Sequence, residues 1–138
     1  MILKYQKIID EFTTHTLIEP DYKDGQPRIT ELCTIGNDTY VHIPDTIVLP
    51  EQPFNLDVTM EAVKLTGELK TEIKALSPHV QLINARVVEK IRAKHSIDDE
   101  FKMLRIKIKG DDVKSKSYMD HVDLCLAWGV SEKTKIGL

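Results

Sequence analysis

Apolar positions along the chain change their period once. Near the N-terminus Leu3, Tyr5 and Ile8 give a short alternating start, followed by Pro20-Asp-Tyr-Lys-Asp-Gly25, a loop with turn chemistry. Arg28–Ile35 and Thr39–Ile43 are rich in β-branched and aromatic residues and flank Gly36-Asn37-Asp38, which predicts a β-hairpin. Two registers are open. A turn at Asn37-Asp38 sets Ile35 opposite Tyr40 and Cys33 opposite His42; a turn at Gly36-Asn37 slips the pairing and inverts part of the pattern. Pro44, Pro50 and Pro53 then enforce an extended connector, because each lacks a donor and restricts its predecessor. Thr46–Leu49 is expected as an edge strand within it, and Phe54–Val58 as one more strand.

From about Lys64 the spacing becomes helical. Leu65, Leu69, Ile73 and Leu76 form one stripe, and Val80, Ile83, Val87 and Ile91 form the next, broadened by Leu82 and Val88. Ser77-Pro78 separates them as a candidate N-cap with Pro in the first helical position. Ser96-Ile-Asp-Asp resembles a capping box with Asp in place of Glu, and Ile97, Phe101 and Leu104 continue the apolar face. Leu104–Lys109 alternates strictly and fits helix or strand equally. A last helix is expected from about Ser117 to Lys135, with Met119, Val122, Leu126 and Gly129 on one side and Leu124 and Trp128 beside them. The pattern predicts an α+β protein: a short N-terminal β-hairpin and extended region, then a bundle of three or four helices.

Composition sharpens that division. The 138 residues carry 19 Lys+Arg and 22 Asp+Glu, a net charge of −3. Residues 1–59 hold four basic and ten acidic residues, a balance of −6, whereas residues 60–138 hold fifteen and twelve, a balance of +3. An acidic, proline-punctuated region 1–59 and a basic helical region 60–138 are therefore the expected domains. The overall charge argues against a generically polybasic nucleic-acid binder. No window approaches the ~20 apolar residues of a membrane span, and the N-terminus lacks signal-peptide grammar. A cytoplasmic setting with Cys33 and Cys125 reduced is expected.

Chemistry-bearing motifs are sparse. His121 and Cys125 share a helix face at i, i+4, and Cys33 could pair with His42, but a structural zinc needs four ligands, so no metal is expected. Asp98-Asp99-Glu100 suits a helix N-terminus and Asp111-Asp112 a turn, without the apolar flanks that would desolvate a catalytic carboxylate. Nucleophile elbows and phosphate-cradling glycine loops are absent, so neither a catalytic residue nor a cofactor is expected. Lys90, Arg92, Lys94, Lys102, Arg105, Lys107 and Lys109 concentrate positive charge around a two-helix junction, yet Asp98, Asp99 and Glu100 stand where phosphates would approach. Nucleic acid is thus a disfavoured partner.

Two segments carry a resemblance. Ile91-Arg-Ala-Lys-His-Ser-Ile-Asp-Asp-Glu-Phe-Lys-Met-Leu-Arg105 and Ala127-Trp-Gly-Val-Ser-Glu-Lys-Thr-Lys-Ile-Gly-Leu138 resemble segments of small accessory proteins of tailed phages and prophages. In those proteins an IR-x-K-[YH]-S-x-[DE]-DE junction and a WG-x-x-x-K-x-x-x-GL terminus recur. The likeness covers about a fifth of the chain and brings no catalytic residue with it. It implies a non-enzymatic virion or tail-module component, or an assembly factor, working in the host cytoplasm during assembly, with retention in the virion as the further option. Its partners would be other virion or tail proteins or further copies of itself. Candidate contact residues are Tyr5, Tyr40, Phe54 and Trp128 as aromatic anchors, with Lys102, Arg105 and Lys107 as the basic set. The alternative is a phage-encoded regulator or inhibitor that binds a host protein or nucleic acid through the basic helical half.

Overall fold

A computed structural model describes residues 1–8 and 10–138. The chain is α+β, with elements in the order β1 (Ile2–Gln6), β2 (Thr30–Ile35), β3 (Asp38–His42), α1 (Phe54–Asp57), β4 (Glu61–Val63), α2 (Gly67–Leu76), α3 (Pro78–Arg92), α4 (Ile97–Ile108) and α5 (Asp112–Lys135). It divides into two compact units: Met1–Gln81 together with Ile136–Leu138, and Leu82–Lys135. The structural division therefore falls inside α3 rather than at the change of composition after residue 59. The physical reason is burial: Ile73 of α2 and Val80 of α3 sit in the same apolar cluster as the sheet residues Ile2, Leu32 and Tyr40.

The first unit is a four-stranded antiparallel sheet in the order β2-β3-β1-β4. Alternation along β1 sends Ile2 to one face and Leu3 and Tyr5 to the other, where Val41, Ile43, Ile47 and Leu56 complete a second cluster. In the β2–β3 hairpin Ile35 pairs with Asp38, so the turn is Gly36-Asn37 and Cys33 lies opposite Tyr40, not His42. Gly36 has φ 61° and Asn37 is not in the left-handed region, the combination of a type II′ turn, which only glycine enters without strain. Between Glu31 and Cys33 the register shifts. Leu32 is the extra residue, which is why adjacent Leu32 and Cys33 both join one cluster.

Two expected strands are absent. Thr46–Leu49 forms no strand, and Phe54–Asp57 is one helical turn started by Pro53, whose carbonyl accepts from Leu56 and Asp57. Pro78 opens α3 as expected, but among the described residues the buried Ser77 hydroxyl finds no hydrogen-bond partner, so Ser77 does not cap through its side chain.

The second unit comprises the rest of α3 with α4 and α5. Ser96 and Asp99 form the full capping box at the start of α4: the Ser96 hydroxyl accepts from Asp99 N at 3.1 Å, and Ser96 N donates to Asp99 Oδ2 at 3.4 Å. Residues 104–108 continue this helix; with no strand alongside to complete a ladder, helical bonding is what satisfies their backbone. Helix α5 starts five residues earlier than Ser117, and its inner positions are Ser115, Tyr118, Cys125 and Gly129. That face is rotated from the expected one, leaving Leu126 half exposed. Leu82 and Val88, expected to widen the α3 stripe, are also exposed.

Candidate interaction surface

The aromatic anchors separate by burial. Tyr5 is 1% exposed and Tyr40 7%, so both are core residues of the first unit, not contact residues. Strand alternation explains this, because each occupies an inward position on a sheet covered on both faces. Burial pushes both phenols above their ordinary pKa. Trp128 is half-buried, with the Lys90 ammonium 4.6 Å from its ring centroid in a cation–π contact. Phe54 alone of the four is open, at 78% exposure.

Phe54 stands in a depression of about 430 Å³ lined also by Leu49, Pro50, Glu51, Asp57 and Met60. The loop beneath it is held by Gln52, which no sequence pattern singles out. This buried amide accepts from Ile18 N at 2.8 Å and donates to the carbonyls of Ile18 and Pro50, each at 2.9 Å. Three bonds from one side chain fix a proline-rich segment that has no ladder of its own.

The basic set also separates. Lys102 and Arg105 line one depression on α4, of about 310 Å³, with Asp98, Phe101, Ile106 and Lys109. Among the described residues, Lys102, Arg105 and Lys109 have no ion pair within the chain, whereas Lys107 Nζ lies 2.5 Å from Asp112 Oδ1. Lys107 is therefore set apart by a partner of its own.

The apolar residues of α4 hold the main surprise. Ile97, Phe101, Leu104 and Ile108 follow one another at spacings of four, three and four, a single helix stripe. All four are exposed, at 54, 62, 38 and 85%, and α4 contributes no buried residue. The expected continuation of a core face is thus corrected. The half-buried apolar positions are Met103 and Ile106, on the opposite side of the helix. Sequence pattern alone could not show this, because α4 carries two apolar faces and only the wider one reads as a stripe.

A polar cluster ties the three helices of this unit together. Arg92 Nη1 lies 2.5 Å from Glu100 Oε2, and the Tyr118 hydroxyl donates to Glu100 Oε1 at 2.7 Å. These two donors hold the Glu100 carboxyl below its ordinary pKa, and burial together with the carboxylate raises Tyr118 to about 12. His95 packs edge-on against Tyr118, with centroids 5.0 Å apart. His121 Nε2 donates to the Lys90 carbonyl at 3.1 Å and lies 3.6 Å from Cys125 Sγ. Among the described residues, no three His, Cys, Asp or Glu side chains are grouped so as to hold a metal ion, and no helix is long and apolar enough to cross a membrane.

Comparison with protein-family models, with curated proteins and with solved structures gives no match.

Proposed function

We propose that this chain is a non-enzymatic structural or assembly component of a phage-like particle, a tail-module protein that acts through protein–protein contacts. The observation that carries the reading is the open stripe Ile97–Phe101–Leu104–Ile108 on α4. Four large apolar side chains in a row on one helix lose hydrophobic stabilisation in water and regain it against a partner, at roughly 25 cal/mol for each Å² covered. The particle context comes from the resemblance of residues 91–105 and 127–138 to phage accessory proteins, and the partners are other virion or tail proteins or copies of the chain itself. Ile97, Phe101 and Leu104 of the stripe lie inside the first of these two segments.

Co-expression with candidate particle proteins, followed by size-exclusion chromatography with light scattering, tests the reading. Incorporation into a large assembly, reduced by Phe101→Asp, is expected. A chain that joins no assembly and is untouched by Phe101→Asp would sink it. The unpaired Lys102, Arg105 and Lys109 favour one competing reading, a regulator that binds nucleic acid or an acidic host protein. Salt-dependent DNA binding lost on replacing Lys102, Arg105 and Lys107 would select it.

A further inference from the structure

We propose that α4 pairs antiparallel with α4 of a second copy, forming a two-fold dimer across its open stripe. This rests on the reading of that stripe as a contact surface, and adds the occupant and the register. The first argument is self-complementarity. Spacings of four, three and four read the same in both directions, so a reversed copy sets Ile97 against Ile108 and Phe101 against Leu104. A two-fold contact needs this property, because one patch must serve both sides.

The second argument is charge. The same helix is acidic at its start (Asp98, Asp99, Glu100) and basic at its end (Arg105, Lys107). On the flank that carries Phe101, reversal brings Asp98 to Arg105 of the second copy; on the other flank it brings Glu100 to Lys107. A parallel pair would instead set the two acidic starts side by side and the two basic ends likewise. Glu100 and Lys107 each have a partner within the chain already, so Asp98 and Arg105 contribute the larger new attraction. Lys102 lies as far round the helix from the stripe as Met103 does on the other side, so it stands clear of the contact.

A 12-residue helix is about 18 Å long and covers less than the ~800 Å² per partner of a standard interface. The dimer is therefore weak, with a dissociation constant of about 10–100 µM.

Charge reversal supplies a sharp test. Asp98→Lys sets like charge on Arg105 of the second copy at both ends, so it should loosen the dimer about tenfold or more, while Lys102→Glu, clear of the contact, should change it by less than about twofold. Sedimentation equilibrium on the whole chain, with helicity checked by circular dichroism, reads both. Phe101→Asp should leave a monomer of unchanged helicity. Mixing Asp98→Lys chains with Arg105→Glu chains should yield heterodimers, since each charge then faces its opposite. A wild-type chain that stays monomeric up to ~0.5 mM overturns the proposal. So does an Asp98→Lys chain that associates as tightly as the wild type. A monomeric chain that still enters a particle overturns the dimer alone and leaves the particle reading standing.

Discussion

Gly129→Ala is a substitution whose sign should depend on one neighbour. Alanine is favoured over glycine within a helix by about 1 kcal/mol, and Gly129 lies well inside α5, so local propensity predicts stabilisation. The packing predicts the reverse. A Cβ at Gly129 would fall 2.6 Å from Val87 Cγ2 and 4.0 Å from Ile83 Cγ2. Val87 is buried in α3, where a β-branched side chain has essentially one rotamer, so its methyl group cannot swing away without strain. Overpacking of this kind costs about 1–3 kcal/mol. The net effect in the wild-type background is then a loss of about 1 kcal/mol, or roughly 3–5 °C in Tm for a chain of this size.

Val87→Ala alone leaves a cavity and costs about 1–3 kcal/mol. In that background, however, the obstructing methyl group is gone, and Gly129→Ala should now stabilise by about 1 kcal/mol. A double-mutant cycle by chemical denaturation measures the coupling directly. Stabilisation by Gly129→Ala in both backgrounds, with no coupling, would refute the close α3–α5 contact on which this reasoning rests.

Ser96→Ala removes the hydroxyl that accepts from Asp99 N and should cost about 1 kcal/mol, with loss of helicity confined to the start of α4 and visible by amide hydrogen exchange. The Glu100 carboxyl, held below its ordinary value of 4.5 by Tyr118 and Arg92, contributes stability that is fully present above that value and lost as pH falls through its lowered folded pKa. Denaturation measured against pH should therefore show an acid-side decline that Glu100→Gln reduces. On the alkaline side, Tyr118 contributes stability that is present below its ordinary value of 10 and lost as pH rises towards about 12; Tyr118→Phe should flatten that limb.

Much of the fold was legible because several local signals agreed. The Ser96 capping box, Pro78 at the start of α3 and the Val80–Ile83–Val87 stripe each combine a boundary residue with a period, and each appears where that combination places it. Failures occurred where one signal acted alone. Alternation in Leu104–Lys109 cannot distinguish strand from helix, since only an adjacent strand gives it meaning, and none is there. Phe54–Val58 has strand-like residues, but Pro53 carries an extended φ/ψ that launches a helical turn. Hairpin register depended on which residue would take positive φ, which composition leaves between neighbours. At the surface, the basic cluster was visible as composition, whereas the division of Lys107 from Lys102 and Arg105 depends on Asp112 beginning α5 within reach. Tyr5 and Tyr40 read as contact residues in the sequence because aromatic content says nothing about which side of a sheet is covered.

Ile136–Leu138 belong with the sheet unit, and Leu138 shares an apolar cluster with Ile2. In chain order the sheet unit is thus interrupted by the whole of Leu82–Lys135. Synthesis proceeds from the N-terminus at ~5–20 residues per second, so the interrupting helices are complete before the sheet unit receives its final side chains. Helical contacts are short-range and form quickly, whereas joining Ile2 to Leu138 closes the longest loop the chain contains. The order of folding should therefore invert the order of translation, with the later-made helices ordered first and the first-made strand sealed last.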